Sequence, residues 1–509
     1  MSCPSSLKSA GEIFGIDEEP VDLPPGYYIY TALMIGLVIG IPLLYRQLWL
    51  VAWSLFRHFR KPPHLRGGPE GCRPVGRPGH RNLSKDVNQS PRGRGSAAAS
   101  SNGQVKPSSG AVRALFVYPI KSCYPVEVDE AKITPMGFEH DRQFCFATWH
   151  EPSSTGGSAK SDAPKKGSSA YWDSTPHWEF MTQRQNPSLT HLRTQLWLPD
   201  EKLPDYDEES EVVKSGGVLQ VSFEYSPPMT TVRNIWSVLH AKLSTLDLSA
   251  KPVWKFEVPL NPSAEQIRER RYGTDRVRIW RDEPSGINMT SEIPKYVLQN
   301  LRALLFDDIK RNAPHKLTRM KSLPELRLYR VDRSKDRELY KCAPKEEQLG
   351  YQSIIGYQDS YPIHLQNMAT VADVDKQLQD AKAFTPDARR YRANIYVSGP
   401  PAYDEDDWTL VSIGDSDIHV SCRTTRCKLP TNDPDLGVLG SDNQPYAYLT
   451  KNRAIDEGAP NTGCLGMMAV PAKDSIGRTI KVGDALKVLK RGKHRFVADP
   501  EPEAQRPPL

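Results

Sequence analysis

The stretch Arg423-Thr-Thr-Arg-Cys427-Lys-Leu-Pro-Thr-Asn-Asp-Pro-Asp435-Leu-Gly437 sets one cysteine among three cations and then turns sharply. A thiolate is the nucleophilic and metal-ligating form of cysteine, and positive charge at Arg423, Arg426 and Lys428 would favour that form. Cys427 is therefore the leading candidate for the reacting atom. Asn-Asp-Pro-Asp-x-Gly is turn chemistry, which puts such a residue on a loop at the edge of a scaffold, within reach of a ligand. On these residues alone the ordinary reading, an inert cysteine beside a common turn, still leads.

Working outward, Thr479 to Leu489 holds two alternating apolar runs around Gly-Asp and reads as a closing β-hairpin. Upstream lie Tyr391-Arg-Ala-Asn-Ile-Tyr-Val-Ser-Gly399, Trp408 and Ile413-Gly-Asp415, and earlier still Val117-Tyr-Pro-Ile-Lys-Ser-Cys123 and His140-Asp-Arg142. Ala111–Ile120, Gln143–Trp149, Ile395–Ser398 and Asp417–Ser421 have strand character. Ser291 to Leu305 places Ile293, Val297, Leu298, Leu301, Leu304 and Leu305 on one helical face, with Ser291 as N-cap. Leu365, Met368, Val371, Val374, Leu378 and Ala381 make a second stripe. Both stripes read as core, and the mixture predicts an α+β fold built around a β-barrel.

Composition sets the outer bounds. The 509 residues are 38% hydrophobic and 25% charged, enough for two or three domains, but 44 Pro and 34 Gly imply that the ordered part is smaller than the chain. The net charge of +6 sits largely in linker-like stretches, so it is not read as nucleic-acid binding. The eight cysteines show no CxxC pair and no zinc spacing with histidine, which argues for free thiols.

Leu23 to Tyr45 contains no charged residue and meets the roughly 20 apolar residues that a bilayer-crossing helix needs. Acidic Asp17, Glu18, Glu19 and Asp22 precede it and Arg46, Arg57, Arg60 and Lys61 follow, so the positive-inside rule predicts a lumenal N-terminus and a cytosolic remainder. The acidic start argues against a signal or transit peptide. The endoplasmic reticulum and the outer mitochondrial membrane both fit. The expected layout is thus residues 1–22 lumenal, 23–45 transmembrane, 46–111 a basic low-complexity linker, 112–290 an N-terminal β-barrel domain with a disordered insertion at 151–174, 291–492 a second domain, and 493–509 a disordered tail.

Taken together and in order, the quoted motifs resemble the MOSC domain, the C-terminal module of molybdenum cofactor sulfurases, preceded by its N-terminal MOSC β-barrel partner. Within that family the architecture is similar to the amidoxime-reducing components, and the likeness covers roughly residues 112 to 490. The resemblance implies a molybdenum cofactor (Mo-molybdopterin). Carried over position by position, Cys427 matches the metal-ligating cysteine. Lys121 and Ser122 match a Lys-Ser pair, Arg142 the second arginine of Arg-Asp-Arg, Arg392 and Asn394 an Arg-x-Asn, and Asp359 and Ser360 an Asp-Thr/Ser pair; Arg426 joins them as a cofactor-binding cation. Arginine forks suit phosphate and pterin oxygens, and hydroxyls donate without adding charge. The chain departs from the pattern at Leu436, Tyr361, His140 and Cys422, which leaves the substrate open.

The implied function is a membrane-anchored molybdenum oxidoreductase that reduces small N-hydroxylated substrates. Its electrons would come from cytochrome b5 and NADH-cytochrome b5 reductase, because this sequence has no nucleotide fingerprint, haem motif or iron–sulfur cysteine cluster. The alternatives are a sulfur-carrier or cofactor-maturation protein, with Cys427 holding a persulfide, and a non-catalytic cofactor-binding module.

Overall fold

The computed structural model describes residues 67–76, 82–83, 109–151, 175–280, 282–312, 324–334, 337–378, 384 and 387–497, with scattered positions between 34 and 49. The insertion beyond Glu151 therefore lies outside the described residues, as does most of the predicted membrane span. Among the described residues no helix is long and apolar enough to cross a membrane. Those described inside the span, such as Met34, Val38 and Ile41, are helical and exposed.

In chain order the first strands are β1 Cys72–Val75, β2 Ser109–Val117, β3 Val126–Val128, β4 Glu130–Thr134, β5 Gly137–Phe138, β6 Phe144–His150 and β7 His177–Phe180. Next come β8 Arg193–Pro199, β9 Val218–Glu224, β10 Val253–Pro259, β11 Thr274–Arg278, β12 Ser285–Asn288 and β13 Leu326–Val331. The C-terminal half adds β14 Arg337–Glu338, β15 Ile354–Ile355, β16 Ile363–Asn367, β17 Ile395–Ser398 and β18 Trp408–Ile413. It ends with β19 Ser416–Thr425, β20 Cys464–Pro471, β21 Thr479–Lys481 and β22 Ala485–Arg491. Three helices of ten or more residues are described: α1 Val232–Thr245, α2 Lys295–Asn312 and α3 Met368–Gln377.

Two barrels organise these strands. β11, β12, β13, β6 and β7 close into one; the other is an eight-stranded sheet in the order β17-β16-β20-β19-β18-β22-β2-β3. Because β2 also pairs with β17, seven of its strands form a ring with β3 attached. Closure removes free edges, which an open sheet of this size would have to protect. Alternation explains the burial: along β19 the residues run buried, half-buried, buried throughout, so one face is core and the other is partly open. α2 buries Val297, Leu301, Leu304 and Leu305, each worth roughly 1.5–3 kcal/mol against exposure.

Several expected boundaries move. β1 lies inside the stretch 46–111 read as linker, where Cys72 is buried and the strand pairs antiparallel with β8. β2 belongs to the ring formed by the C-terminal strands, and β13 belongs to the N-terminal barrel, so the chain crosses the division at 290/291 in both directions. Thr479 to Leu489 is not a hairpin: β21 pairs with β4 while β22 pairs with β18 and β2. The turn is a corner, held where Val112 exchanges backbone hydrogen bonds with Gly483 and Asp484. Ser291 sits in a 3-10 turn, Thr290–Glu292, and the helix proper begins at Lys295 after Pro294. The second stripe divides, since Leu365 is on β16 and the helix starts at Met368. Residues 494–497, read as tail, are docked: His494 Nε2 lies 2.6 Å from the Trp408 carbonyl, and Phe496 N donates to Asp456 Oδ1 at 2.7 Å.

Candidate functional site

The centre of the site is a buried carboxylate that sequence reading did not single out. Asp141 accepts hydrogen bonds from Tyr118 N at 2.9 Å, Arg142 Nη1 at 2.7 and 2.9 Å and Asn394 Nδ2 at 3.1 Å. Burial pushes its carboxyl up, and Arg142 opposes the shift. Asn394 uses its other donor on the Phe116 carbonyl, while its Oδ1 accepts from Arg142 Nη1 at 3.0 Å and His364 N at 3.2 Å. β2, the loop before β6, β16 and β17 are thereby tied at one point. Arg142 also donates to the Arg392 carbonyl at 3.3 Å.

Above this knot the guanidiniums of Arg142 and Arg392 stack on Tyr118, 4.1 and 4.3 Å from its ring centre. Burial pushes the Tyr118 hydroxyl up to about 12, so it stays a neutral donor, given to the Ala393 carbonyl. Arg392 spends one donor, Nη1, on the Cys123 carbonyl at 3.0 Å, and Arg426 spends one, Nη2, on the Tyr391 carbonyl at 3.0 Å. The Arg426 Nε is buried with no partner among the described residues. Burial lowers the pKa of both guanidiniums; the chief opposing influence at Arg426 is Cys427, and at Arg392 it is Tyr118. Cys427 itself is exposed, with Leu429 N pointing at its sulfur at 3.5 Å.

A small, shallow pocket is lined by Arg389, Arg390, Arg392, Gln183, Tyr124 and Leu429, of which Leu429 lies two residues along the chain from Cys427. Ser122, Arg142 and Arg392 all have left-handed backbone, with φ of 67°, 47° and 54°. For non-glycine residues that conformation costs on the order of 1–2 kcal/mol each, and such strain concentrates at functional sites.

The structure brings together Lys121, Arg142, Asp359, Arg392 and Asn394, with Arg426 and Cys427 next to them through Tyr391. Lys121 is already committed within the protein. It is buried and donates to Asp359 Oδ1 at 2.5 Å and to the Tyr357 carbonyl at 2.9 Å. Burial lowers its pKa and Asp359 opposes that; for Asp359, desolvation is overcome by Lys121, with Arg184 and Trp280 adding, so its carboxyl is held below the usual range. Trp280 Nε1 donates to the same oxygen at 3.1 Å. Ser122 accepts from Gln183 through its carbonyl at 2.7 Å, and neither its hydroxyl nor that of Ser360 is engaged among the described residues.

Arg423 is not beside Cys427 in function. The strand alternation sends it to Asp456 at 3.3 Å and the His494 carbonyl at 3.1 Å. Tyr361 does not shape the site either: it is buried in a satellite cluster with Leu339, Leu349, Cys422 and Val470. Cys422 is buried there beside Cys342. His140 is buried, with Glu139, Arg333, Arg330 and Lys132 as its charged neighbours. Leu436 is 68% exposed at the tip of the Asp-Pro-Asp turn. Sequence reading missed Asp141, Tyr118, Arg389 and Arg390; the only signal was their adjacency to residues that it did select.

Model matches assign residues 109–204 to the MOSC N-terminal beta barrel domain and residues 352–487 to the MOSC domain. The chain carries both MOSC domains. It is 32% identical over 142 residues to the human (Homo sapiens) mitochondrial amidoxime-reducing component 1, covering 26% of this chain and 39% of that one. The rat (Rattus norvegicus) mitochondrial amidoxime reducing component 2 is 34% identical over 132 residues, 26% of this chain and 37% of its own. The mouse (Mus musculus) component 1 matches more extensively at lower identity, 23% over 350 residues, 68% of this chain and 72% of its own. The chain thus spans about two fifths of the length of the human and rat relatives it matches. The knot lies within both MOSC segments at once: Tyr118, Asp141 and Arg142 come from the first, Asn394, Arg392 and Arg426 from the second.

Proposed function

We propose that this MOSC protein binds a molybdenum–pterin cofactor and reduces N-hydroxylated compounds. The observation that carries the reading is the pairing of an exposed cysteine with two arginines, the buried Arg426 and the half-buried Arg392, each using one protein acceptor and keeping its other donors unspent among the described residues. Buried cations without counterions are costly unless a ligand supplies the anion. A phosphate-bearing pterin with a soft metal is such a ligand: guanidinium forks match its oxygens, and a cysteine thiolate matches the metal.

When bound, the cofactor supplies the redox-active metal. Cys427 would hold that metal through Sγ, and Arg392 and Arg426 would bind the anionic part. Arg142, aimed by Asp141 and Asn394, would bind the pterin edge, with the hydroxyls of Ser122 and Ser360 as neutral donors. The Lys121–Asp359 pair keeps the wall beside them electrically balanced. The names of the relatives supply the substrate class. The electron source is proposed as cytochrome b5 with its NADH-dependent reductase.

Metal and pterin analysis of the purified full chain tests this. Molybdenum and pterin together, with molybdenum lost in Cys427→Ala, are expected. A protein purified from a cofactor-replete host with neither would overturn the reading, and a Cys427 persulfide without metal would support the sulfur-carrier alternative. We also propose that 23–45 anchors the chain in a membrane, mitochondrial outer or endoplasmic reticulum, with residues after it cytosolic. Protease added to intact organelles should then degrade the barrels; their full protection would refute this topology.

A further inference from the structure

α1 is amphipathic and faces the wrong way for a helix of a protein core. Val232, Ile235, Trp236, Leu239 and Leu243 fall at the spacing of a single apolar stripe, and their exposures are 84, 39, 67, 46 and 69%. The helix packs on the protein through Val238, its one buried residue. Leu246 and Leu248 just beyond it are 91 and 85% exposed, Met229 just before it 66%, and Val253 at the start of β10 53%. Isolated exposed leucines need no explanation, but a contiguous apolar surface of this kind on a folded unit marks a contact site.

We infer that this face docks the barrel unit onto an anionic phospholipid surface. Two features select that occupant. Residues 226–255 carry Arg233, Lys242, Lys251 and Lys255 against a single carboxylate, Asp247, whose charge is already engaged by Ser249 N and Oγ. Basic residues flanking a Trp- and Leu-bearing stripe are what lets a helix lie in the interface plane, its apolar side among the acyl chains and its cations at the headgroups. Around it, Tyr296 is also exposed and stacks under the Arg233 guanidinium at 4.6 Å, a second amphipathic ring at the same level. The inference rests on the membrane reading proposed for residues 23–45 and adds a second contact to it, fixing which side of the barrel unit meets the lipid.

The test uses the full chain bound to vesicles of phosphatidylcholine with and without phosphatidylserine, with brominated acyl chains as quencher. The difference in quenching between wild type and Trp236→Phe isolates the signal of Trp236 among the other tryptophans. That difference should be clear, larger with phosphatidylserine, and abolished in Leu239→Glu/Leu243→Glu, whose positions are exposed and so leave the fold intact. Carbonate extraction of the same vesicles reads the anchor separately. A chain that resists extraction while Trp236 goes unquenched overturns the docking and leaves the anchor standing; quenching of Trp236 in a chain that carbonate removes does the reverse. A dimer in solution that the double variant dissociates, again without quenching, would assign the face to a second copy and overturn the proposal.

Discussion

Replacing Asp375 by asparagine should flatten the pH dependence of stability between about pH 5 and pH 8. Asp375 is 2% exposed on α3, and among the described residues neither carboxylate oxygen has a hydrogen-bond partner. Burial, with repulsion from Asp387 adding and Arg390 opposing, pushes its carboxyl from 3.8 up to about 7. A group whose folded pKa is raised contributes stability that is fully present below its unfolded pKa, near 4, and is lost as pH rises through about 7. From about pH 5 to about pH 8 the folded state must ionise a site that the unfolded chain ionised earlier. At about 1.4 kcal/mol per pH unit over the two units up to its folded pKa, wild type loses about 3 kcal/mol on this account alone. In Asp375→Asn that loss disappears, while any constant cost of a buried amide cancels from the difference between the two pH values. Glu405, buried and also raised to about 7, contributes a parallel loss that the variant keeps. Urea unfolding of both proteins at the two pH values measures the difference. Equal shifts in midpoint for wild type and variant would refute the placement of Asp375 as a buried, unpartnered acid.

Cys427→Ala should abolish molybdenum retention and substrate reduction while the pterin remains held by the arginines, whereas Cys422→Ala, in the satellite cluster, should keep both and lose about 1–2 kcal/mol of stability by thermal melting. Asn394→Ala removes four hydrogen bonds at a residue 1% exposed, among them the one that satisfies the His364 amide; at roughly 1–3 kcal/mol for a stranded buried group it should cost about 1–3 kcal/mol in urea titrations and release cofactor on dialysis. Removing residues 152–174, which join the paired strands β6 and β7, should leave solubility and molybdenum content unchanged; loss of cofactor would show that the segment packs on the site.

Local patterns in the sequence were legible wherever a segment's periodicity matches its burial. The strand at Ile395–Ser398 is found as read, and the stripe Val297, Leu301, Leu304, Leu305 is core. Pairing was not legible. Thr479 to Leu489 has the alternation and Gly-Asp turn of a hairpin, but alternation fixes only which face each residue takes, and of the partner strands β4 and β2 lie hundreds of residues upstream and β18 earlier than the hairpin reading allows. The same limit hid β1, four residues that pair with β8 across more than a hundred residues of sequence. Charge proximity misled at Arg423: it is four residues before Cys427, but it is committed to the buried Asp456.

The candidate site shows why a short motif outruns its visible residues. Arg392 was selected from sequence, yet the residues just before it hold the loop that carries Cys427. Arg389 grips Asp435 at 2.7 and 3.0 Å and Asp387 at 2.5 Å, and Arg390 reaches Asp433 at 2.8 Å and the Asn432 carbonyl at 2.8 Å. Both arginines are buried, so their charges require these carboxylates, and the carboxylates belong to the turn Asp433-Pro434-Asp435. That turn was read as a device for exposing Cys427. Its acidic residues have a second task, as counterions that lock the loop to the 3-10 turn Ala388–Tyr391, from whose end Arg392 departs in left-handed conformation. Thiol and guanidinium are thus positioned by one set of ion pairs, which is the fixed geometry that the proposed ligand role of Cys427 requires.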